Sequence, residues 1–319
     1  MTLRCAVLDD YQDAAMRVAD WSHLDGRVEI TTYQRHLGTG DDVVTALRDY
    51  DVIVAMRERT PFPAEVLAQL PRLRLLVTTG MRNASIDMQA ARDNGVTVSG
   101  TASRPDPPAE LTWALILGLA RHLVPESTAL RADGPWQSTI GTDLTGRTLG
   151  LLGFGKIGTR VARVGRAFGM DVAAWSQNLT PDRTDAEGVR LAGSKEELLG
   201  RADFVSVHLV LSDRTRGLLD DAALGAMRPD AYLVNTSRAA IVDQAALIDA
   251  LEQERIAGAG LDVYELEPLP ARHPLRTLPN VLATPHIGYV TKGSYSVYYG
   301  EAVEDIVAYL AGSPVRVLT

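Results

Sequence analysis

Short runs rich in Val, Ile and Leu alternate with helix-length segments along almost the whole chain, and this rhythm constrains the fold more than any other feature. Parallel strands joined by crossover helices require it. Early in the chain, strands are expected at 4–8, 28–32, 52–55, 73–77 and 96–98, with helices at 13–20, 41–48, 63–69 and 87–94. The breaker-rich stretch from Ser99 to Pro108 closes this set. A long helix over 109–124 follows, with Pro108 suited to its first turn. Strands then recur at 148–152, 172–175, 204–209, 232–235, 260–263 and 281–284, with helices at 157–168, 195–199, 220–227 and 244–253 between them. The last helix spans 292–310 and carries an apolar stripe of Val303, Ile306, Val307 and Leu310. The first strand set lacks a closing helix, so this one is expected to cross back to it. The pattern predicts two doubly wound parallel-sheet domains, one discontinuous (1–101 and 288–319) and one inserted (102–287), with a hinge at the crossings and a cleft between them.

Composition narrows the function. With 32 Lys and Arg against 40 Asp and Glu, the formal charge is −8, which disfavours binding of phosphate backbones. The longest apolar run, 111–120, is about half of what a bilayer-spanning helix needs. The opening MTLRCAVLDD lacks a signal-peptide layout, which points to the cytoplasm. A single cysteine, Cys5, excludes an internal disulfide, and no ligand spacing suggests a metal.

Gly153-Phe154-Gly155-Lys156-Ile157-Gly158 lies between an expected strand and helix. In that context the first glycine makes the turn, the second admits a pyrophosphate, and the third lets helix and strand approach. The turn therefore predicts a dinucleotide site. A ribose-gripping carboxylate is expected about 20 residues on, yet the next strand ends in Ser176-Gln177-Asn178. Ser176 and Gln177 can hydrogen-bond either cofactor, so NAD against NADP stays open, and Arg183 is the nearest cation.

Polar residues mark the other strand ends: His208, then Thr236-Ser237-Arg238, Asp262 through Glu267, and Thr284-Pro285-His286. An Arg, a Glu and a His on one rim suit acid–base handling of a carboxylate substrate. Read singly, each has a plain alternative: Arg238 as a solvated loop residue, Glu267 as part of an acidic loop, His286 as a structural histidine. His208 reads as lining the adenine side or simply packing.

The ordered motifs Met56–Thr60, Thr79-Gly80-Met81, Leu130–Trp136, Leu144–Gly150, the glycine turn, Val234–Arg238, Gly260–Pro270 and Thr284–Gly288 together resemble the D-isomer-specific 2-hydroxyacid dehydrogenases. The resemblance implies a flavodoxin-like substrate domain, a Rossmann NAD(P)-binding domain, and a cytoplasmic homodimer acting on a small 2-keto or 2-hydroxy acid. It implies that His286 is the general acid/base, that Glu267 pairs with it, and that Arg238 holds substrate. A carboxylate beside the ring stabilises the imidazolium, and a guanidinium matches an α-keto acid. Asp262 resembles the anchor of the nicotinamide carboxamide, and Thr236, Ser237 and Arg238 the nicotinamide-ribose contacts. Lys156 and Ile157 would cover the pyrophosphate with backbone amides. Thr79, Gly80 and Met81 resemble the loop whose N–H groups hold the substrate carboxylate, with Arg57 and Tyr289 as further substrate-lining residues.

Several positions depart from the family pattern. Ala239-Ala240 stands where glycine is usual, Ser176 replaces the usual Asp, and Pro107-Pro108 precedes the long helix. Glu58 between Arg57 and Arg59 disfavours a phosphorylated substrate. Two other functions share the scaffold: formate or phosphite oxidation, poorly matched because formate enzymes carry an amide at the Glu267 position, and a catalytically silent NAD(H)-sensing corepressor-like protein.

Overall fold

The computed structural model describes residues 2–319, and the chain divides into two compact units. Unit 1 comprises residues 2–104 and Val290–Thr319, and unit 2 comprises Pro105–Tyr289.

Unit 1 runs β1 (Leu3–Val7), α1 (Ala15–Val18), β2 (Val28–Thr32), α2 (Asp41–Leu47), β3 (Val52–Ala55), α3 (Ala64–Leu67), β4 (Leu75–Thr78), α4 (Met88–Asp93) and β5 (Thr97–Gly100). The strands form one parallel sheet ordered β2-β1-β3-β4-β5. Every residue of β3 and β4 is buried, as expected of strands covered on both faces.

Unit 2 opens with α5 (Asp106–Ala120) and α6 (Leu123–Arg131), then β6 (Thr148–Leu152), α7 (Lys156–Ala167), β7 (Asp171–Trp175), α8 (Pro181–Asp185), β8 (Arg190–Leu191), α9 (Lys195–Arg201) and β9 (Phe204–Val207). It continues through α10 (Asp221–Gly225), β10 (Tyr232–Asn235), α11 (Gln244–Glu252), β11 (Gly258–Leu261) and β12 (Val281–Ala283). Seven parallel strands are ordered β12-β11-β10-β9-β6-β7-β8. The doubly wound parallel architecture read from the sequence is therefore present in both sheets.

Local differences have physical reasons. The helix expected over 109–124 ends at Ala120, His122 turns left-handed (φ 48°), and α6 starts anew. Leu115 and Leu119 pack on Gly260 of β11, whereas α6 buries no residue, so the apolar seam that holds α5 to the sheet stops where α5 does. The short β8 and α8 carry too few residues for a periodic signal. β9 stops at Val207, which puts His208 beyond the strand rather than inside it.

The segment Lys292–Leu310 is a single helix, α12, which packs on α1 and β4 and buries Tyr298 and Tyr299. After it, the chain lies antiparallel along β5: Gly100 N donates to Arg316 O and Leu318 N to Val98 O. This covers an otherwise open sheet edge. Arg316 fixes the tail to α12, with Nε 3.0 Å from Asp305 Oδ1 and Nη1 3.0 Å from Glu304. Asp305 is fully buried, and burial, assisted by Glu301 and Glu304, pushes its carboxyl up to about 7 despite the opposing Arg316. An acid with a raised folded pKa adds stability below its unfolded value, and that contribution is lost as pH rises to about 7. Asp305→Asn should therefore flatten the loss of thermal stability between about pH 4 and 7, by on the order of a few degrees in the unfolding midpoint. Calorimetry across that window checks this, and identical pH slopes would exclude Asp305 as the titrating group.

Candidate active site

In unit 2 the chain runs from β6 outward to β7 and β8, then returns to β9 on the other side of β6. The carboxyl ends of β6 and β9 thus flank a topological switch point, where open α/β sheets bind ligands. The glycine turn sits there. Gly153 is left-handed (φ 103°), and a side chain on it would overlap the His208 backbone. A side chain on Gly158 would overlap the Gly153 carbonyl, while Gly155 faces open space where α7 begins. Close helix–strand packing, an unobstructed glycine and a helix N-terminus fit a dinucleotide pyrophosphate.

His208 Nε2 lies 2.9 Å from Ser206 Oγ, and burial pushes its pKa down to about 4, so the ring is neutral at neutral pH. Ser176 and Gln177 follow β7, and the Ser176 carbonyl accepts from Leu179 N in a tight turn. Arg183 reaches back from α8 and donates from Nη2 to Phe154 O at 2.6 Å. A permanent cation therefore lies against the glycine turn near the end of β7.

The neighbouring strands β10, β11 and β12 are followed at their carboxyl ends by Arg238, Glu267 and His286. His286 Nδ1 lies 2.6 Å from Glu267 Oε2, both side chains largely buried. Glu267 Oε1 accepts from Tyr264 N at 3.0 Å, so the carboxylate is held at both oxygens. The His286 ring stands edge-on to the buried Tyr289 ring, with centroids 5.5 Å apart. His286 itself is left-handed (φ 54°), a conformation that costs a non-glycine residue on the order of 1 kcal/mol.

Asp262 holds that conformation. Its buried carboxylate accepts from Thr284 Oγ1 (2.7 Å), Ile287 N (2.8 Å) and Gly288 N (2.8 Å). Burial raises its pKa, and these three donors oppose the rise. The expected carboxamide anchor is thus also the brace of the histidine loop, with acceptor capacity remaining on its oxygens.

Asn235, at the end of β10, shapes the next loop: Oδ1 accepts from Ser237 N and Nδ2 donates to Arg238 O, each at 3.0 Å. Ser237 Oγ donates to Leu209 O, and Thr236 Oγ1 lies 2.8 Å from Thr112 Oγ1 of α5. Arg238 Nη1 donates to Ser237 O at 2.8 Å. Among the described residues, no group of His, Cys, Asp and Glu is arranged to hold a metal ion, and no helix is long and apolar enough to cross a membrane.

Unit 1 gathers polar residues at its own switch point, between β1 and β3, and at the adjacent end of β4. Arg57 follows β3 in a left-handed conformation (φ 53°), with Nη1 donating to Thr79 O at 3.2 Å. The sequence assigned anion binding to the amides of Thr79, Gly80 and Met81, and for two of them this needs correction. Thr79 N donates to Ala55 O and Gly80 N to Thr101 Oγ1, bonds that complete the sheet end and its crossing strand. Of the three, Met81 N alone has no acceptor among the described residues.

The residues missed from sequence are the buried polar mounts Asn83 and Asn235, together with Tyr264. Their one legible signal was an amide or hydroxyl placed where an apolar strand ends.

Residues 113–288 match the D-isomer specific 2-hydroxyacid dehydrogenase, NAD binding domain family. The chain is 38% identical to a glyoxylate reductase of Aeropyrum pernix over 257 residues, 78% of this chain and 76% of that protein. It is 33% identical to a D-3-phosphoglycerate dehydrogenase of Methanocaldococcus jannaschii over 293 residues, 90% of this chain but only 54% of that protein. The crystal structure of a phosphoglycerate oxidoreductase from Vibrio cholerae superposes with a TM-score of 0.92 at 38% identity, covering 98% of this chain and all of that one. The chain is an NAD(P)-dependent oxidoreductase belonging to the D-isomer-specific 2-hydroxyacid dehydrogenase family.

Proposed function

We propose that the protein interconverts a small D-2-hydroxy acid and its 2-keto acid, with His286 as general acid/base, Glu267 as its partner and Arg238 as the substrate-holding cation. The observation that carries this reading is the 2.6 Å contact between His286 Nδ1 and Glu267 Oε2. It occupies Nδ1 and presents Nε2 for proton transfer. When bound, the nicotinamide supplies hydride to the keto carbon or takes it from the hydroxy carbon. His286 Nε2 gives a proton to the carbonyl oxygen in reduction and takes the hydroxyl proton in oxidation. Glu267 keeps the ring oriented and offsets its charge, and the Arg238 fork grips the carboxylate.

In this reading Gly153, Gly155, Lys156, Ile157 and Gly158 hold the pyrophosphate. Ser176 and Gln177 hold the adenosine ribose, with His208 on the adenine side. Thr236, Ser237 and Arg238 hold the nicotinamide ribose, and Asp262 the carboxamide. Substrate contacts are assigned to Arg57 and Met81, and to Tyr289 beside the His286 ring. The discontinuous unit is the substrate domain, and a cytoplasmic location accompanies this reading.

His286→Ala should lower kcat by about 10²- to 10⁴-fold while leaving the Kd for NADH or NADPH unchanged. Steady-state turnover with glyoxylate, hydroxypyruvate, pyruvate and phenylpyruvate, together with cofactor-fluorescence titration, measures both quantities. An unaltered kcat would sink the acid/base assignment.

Cofactor choice is tested at the end of β7. Ser176→Asp should weaken NADPH about tenfold or more, by placing a carboxylate against its 2′-phosphate, and spare NADH. Equal calorimetric affinities for NADPH before and after the change would mean that the ribose site has been assigned wrongly.

We further propose a homodimer built on unit 2. Its α6 and the stretch after it expose Leu123, Val124, Leu130, Trp136 (79%) and Ile140 (94%), a concentration of apolar surface that a second copy would cover. Trp136→Glu should shift the mass seen by light scattering toward the monomer. Monomeric mass in the unsubstituted protein would exclude this arrangement.

A further inference from the structure

Two non-glycine residues assigned to substrate handling adopt left-handed backbones: His286 in unit 2 and Arg57 in unit 1. Such a conformation persists only where neighbouring groups over-determine it. For His286 the holding group is Asp262, through the amides of the next two residues. Unit 1 contains a counterpart, Asn83, outside the motifs named in the sequence.

Asn83 is 6% exposed, and all of its polar atoms are engaged. Its Nδ2 donates to Arg57 O at 2.6 Å and to Thr78 Oγ1 at 2.8 Å, and its Oδ1 accepts from Ser85 N at 2.9 Å. Thr78 is the last residue of β4 and is fully buried, so the amide ties Arg57 to the rigid end of the sheet. On the other side, Arg57 N donates to Thr79 Oγ1 at 2.9 Å. Held at both its N–H and its carbonyl, Arg57 has its guanidinium on Thr79 O and against Gly80. A methyl group on Gly80 would overlap Arg57 Nη1, so the absent side chain is what admits the cation.

This arrangement also explains the engaged amides of the loop. With Thr79 N and Gly80 N directed to Ala55 O and Thr101 Oγ1, the loop cannot hold an anion with those groups. A guanidinium lies against it instead.

We propose that Asn83 is a positioning residue for substrate binding. It holds Arg57 in its left-handed backbone and thereby seats the guanidinium over Gly80, so that Arg57, not the Thr79 and Gly80 amides, is the anion-holding group of unit 1. The inference rests on the reading above that Arg57 contacts substrate. It goes beyond that reading in assigning the buried amide that aims Arg57 and in transferring the anion contact from backbone to side chain.

The test is a double-mutant cycle on the full chain, using whichever of glyoxylate, hydroxypyruvate, pyruvate and phenylpyruvate is turned over fastest. Asn83→Ala should raise KM for the keto acid about tenfold, the scale of one lost charge-assisted contact, with kcat and NADH affinity within about twofold. In an Arg57→Ala background the same substitution should add nothing further to KM, because a group acting through another has no effect once that partner is gone. If Asn83→Ala fails to fold, Thr78→Val removes one anchor of the same amide and should raise KM in the same direction. Additive effects in the two backgrounds, or a KM unchanged by Asn83→Ala while Arg57→Ala raises it, would overturn the positioning role and leave Arg57 as a substrate contact. A KM unchanged by Arg57→Ala would overturn the underlying reading and this proposal with it.

Discussion

A buried carboxylate at the end of an apolar strand underlies the geometry of the His286–Glu267 pair. Asp262 sits almost fully out of water, where burial opposes its charge, and it persists because three donors converge on it. Two of those donors are the amides directly after His286. Removing the carboxylate would leave them unpaired and release the left-handed turn. The 2.6 Å contact to Glu267 depends on that turn, since it aims Nδ1 at the partner and Nε2 away from it. The acid–base pair proposed above thus rests on a residue that need not exchange a proton.

The same device recurs in the sister unit with different chemistry. A charged brace holds His286, and a neutral amide holds Arg57. The choice is physically consistent. An anion beside Arg57 would compete for the guanidinium with the anionic substrate proposed for it, whereas Asn83 fixes the backbone without adding charge. Glu58 already lies 3.8 Å from Arg57 Nε, and a further carboxylate would deepen that competition.

Much of this was legible in the sequence. Strand-length apolar runs gave both parallel sheets, because buried parallel strands read as continuous hydrophobic segments. Glycine spacing marked the nucleotide turn, and Arg238, Glu267 and His286 stood at successive strand ends. Elements with little core to cover were illegible: α6 buries nothing, and β8 has only two residues. The mounts were also hidden. Asn83 lies five residues from Thr78 and twenty-six from Arg57, a pairing that only the sheet creates. The carboxylate loop misled because backbone N–H groups look identical in every sequence. Which of them remain open is decided by acceptors such as Ala55 O and Thr101 Oγ1, supplied from elsewhere in the fold.

The split of unit 1 across the chain has a consequence for biosynthesis. α12 and the tail strand along β5 emerge from the ribosome only after all of unit 2 has been made. Until then β5 presents an open edge, and the surfaces of α1 and β4 that receive α12 lie bare. Unit 2 has its own core and all of its strands earlier, so the natural order of assembly is the nucleotide unit first and the flanking unit last. The nascent chain therefore passes through a stage in which strands made before unit 2 become protected only after it.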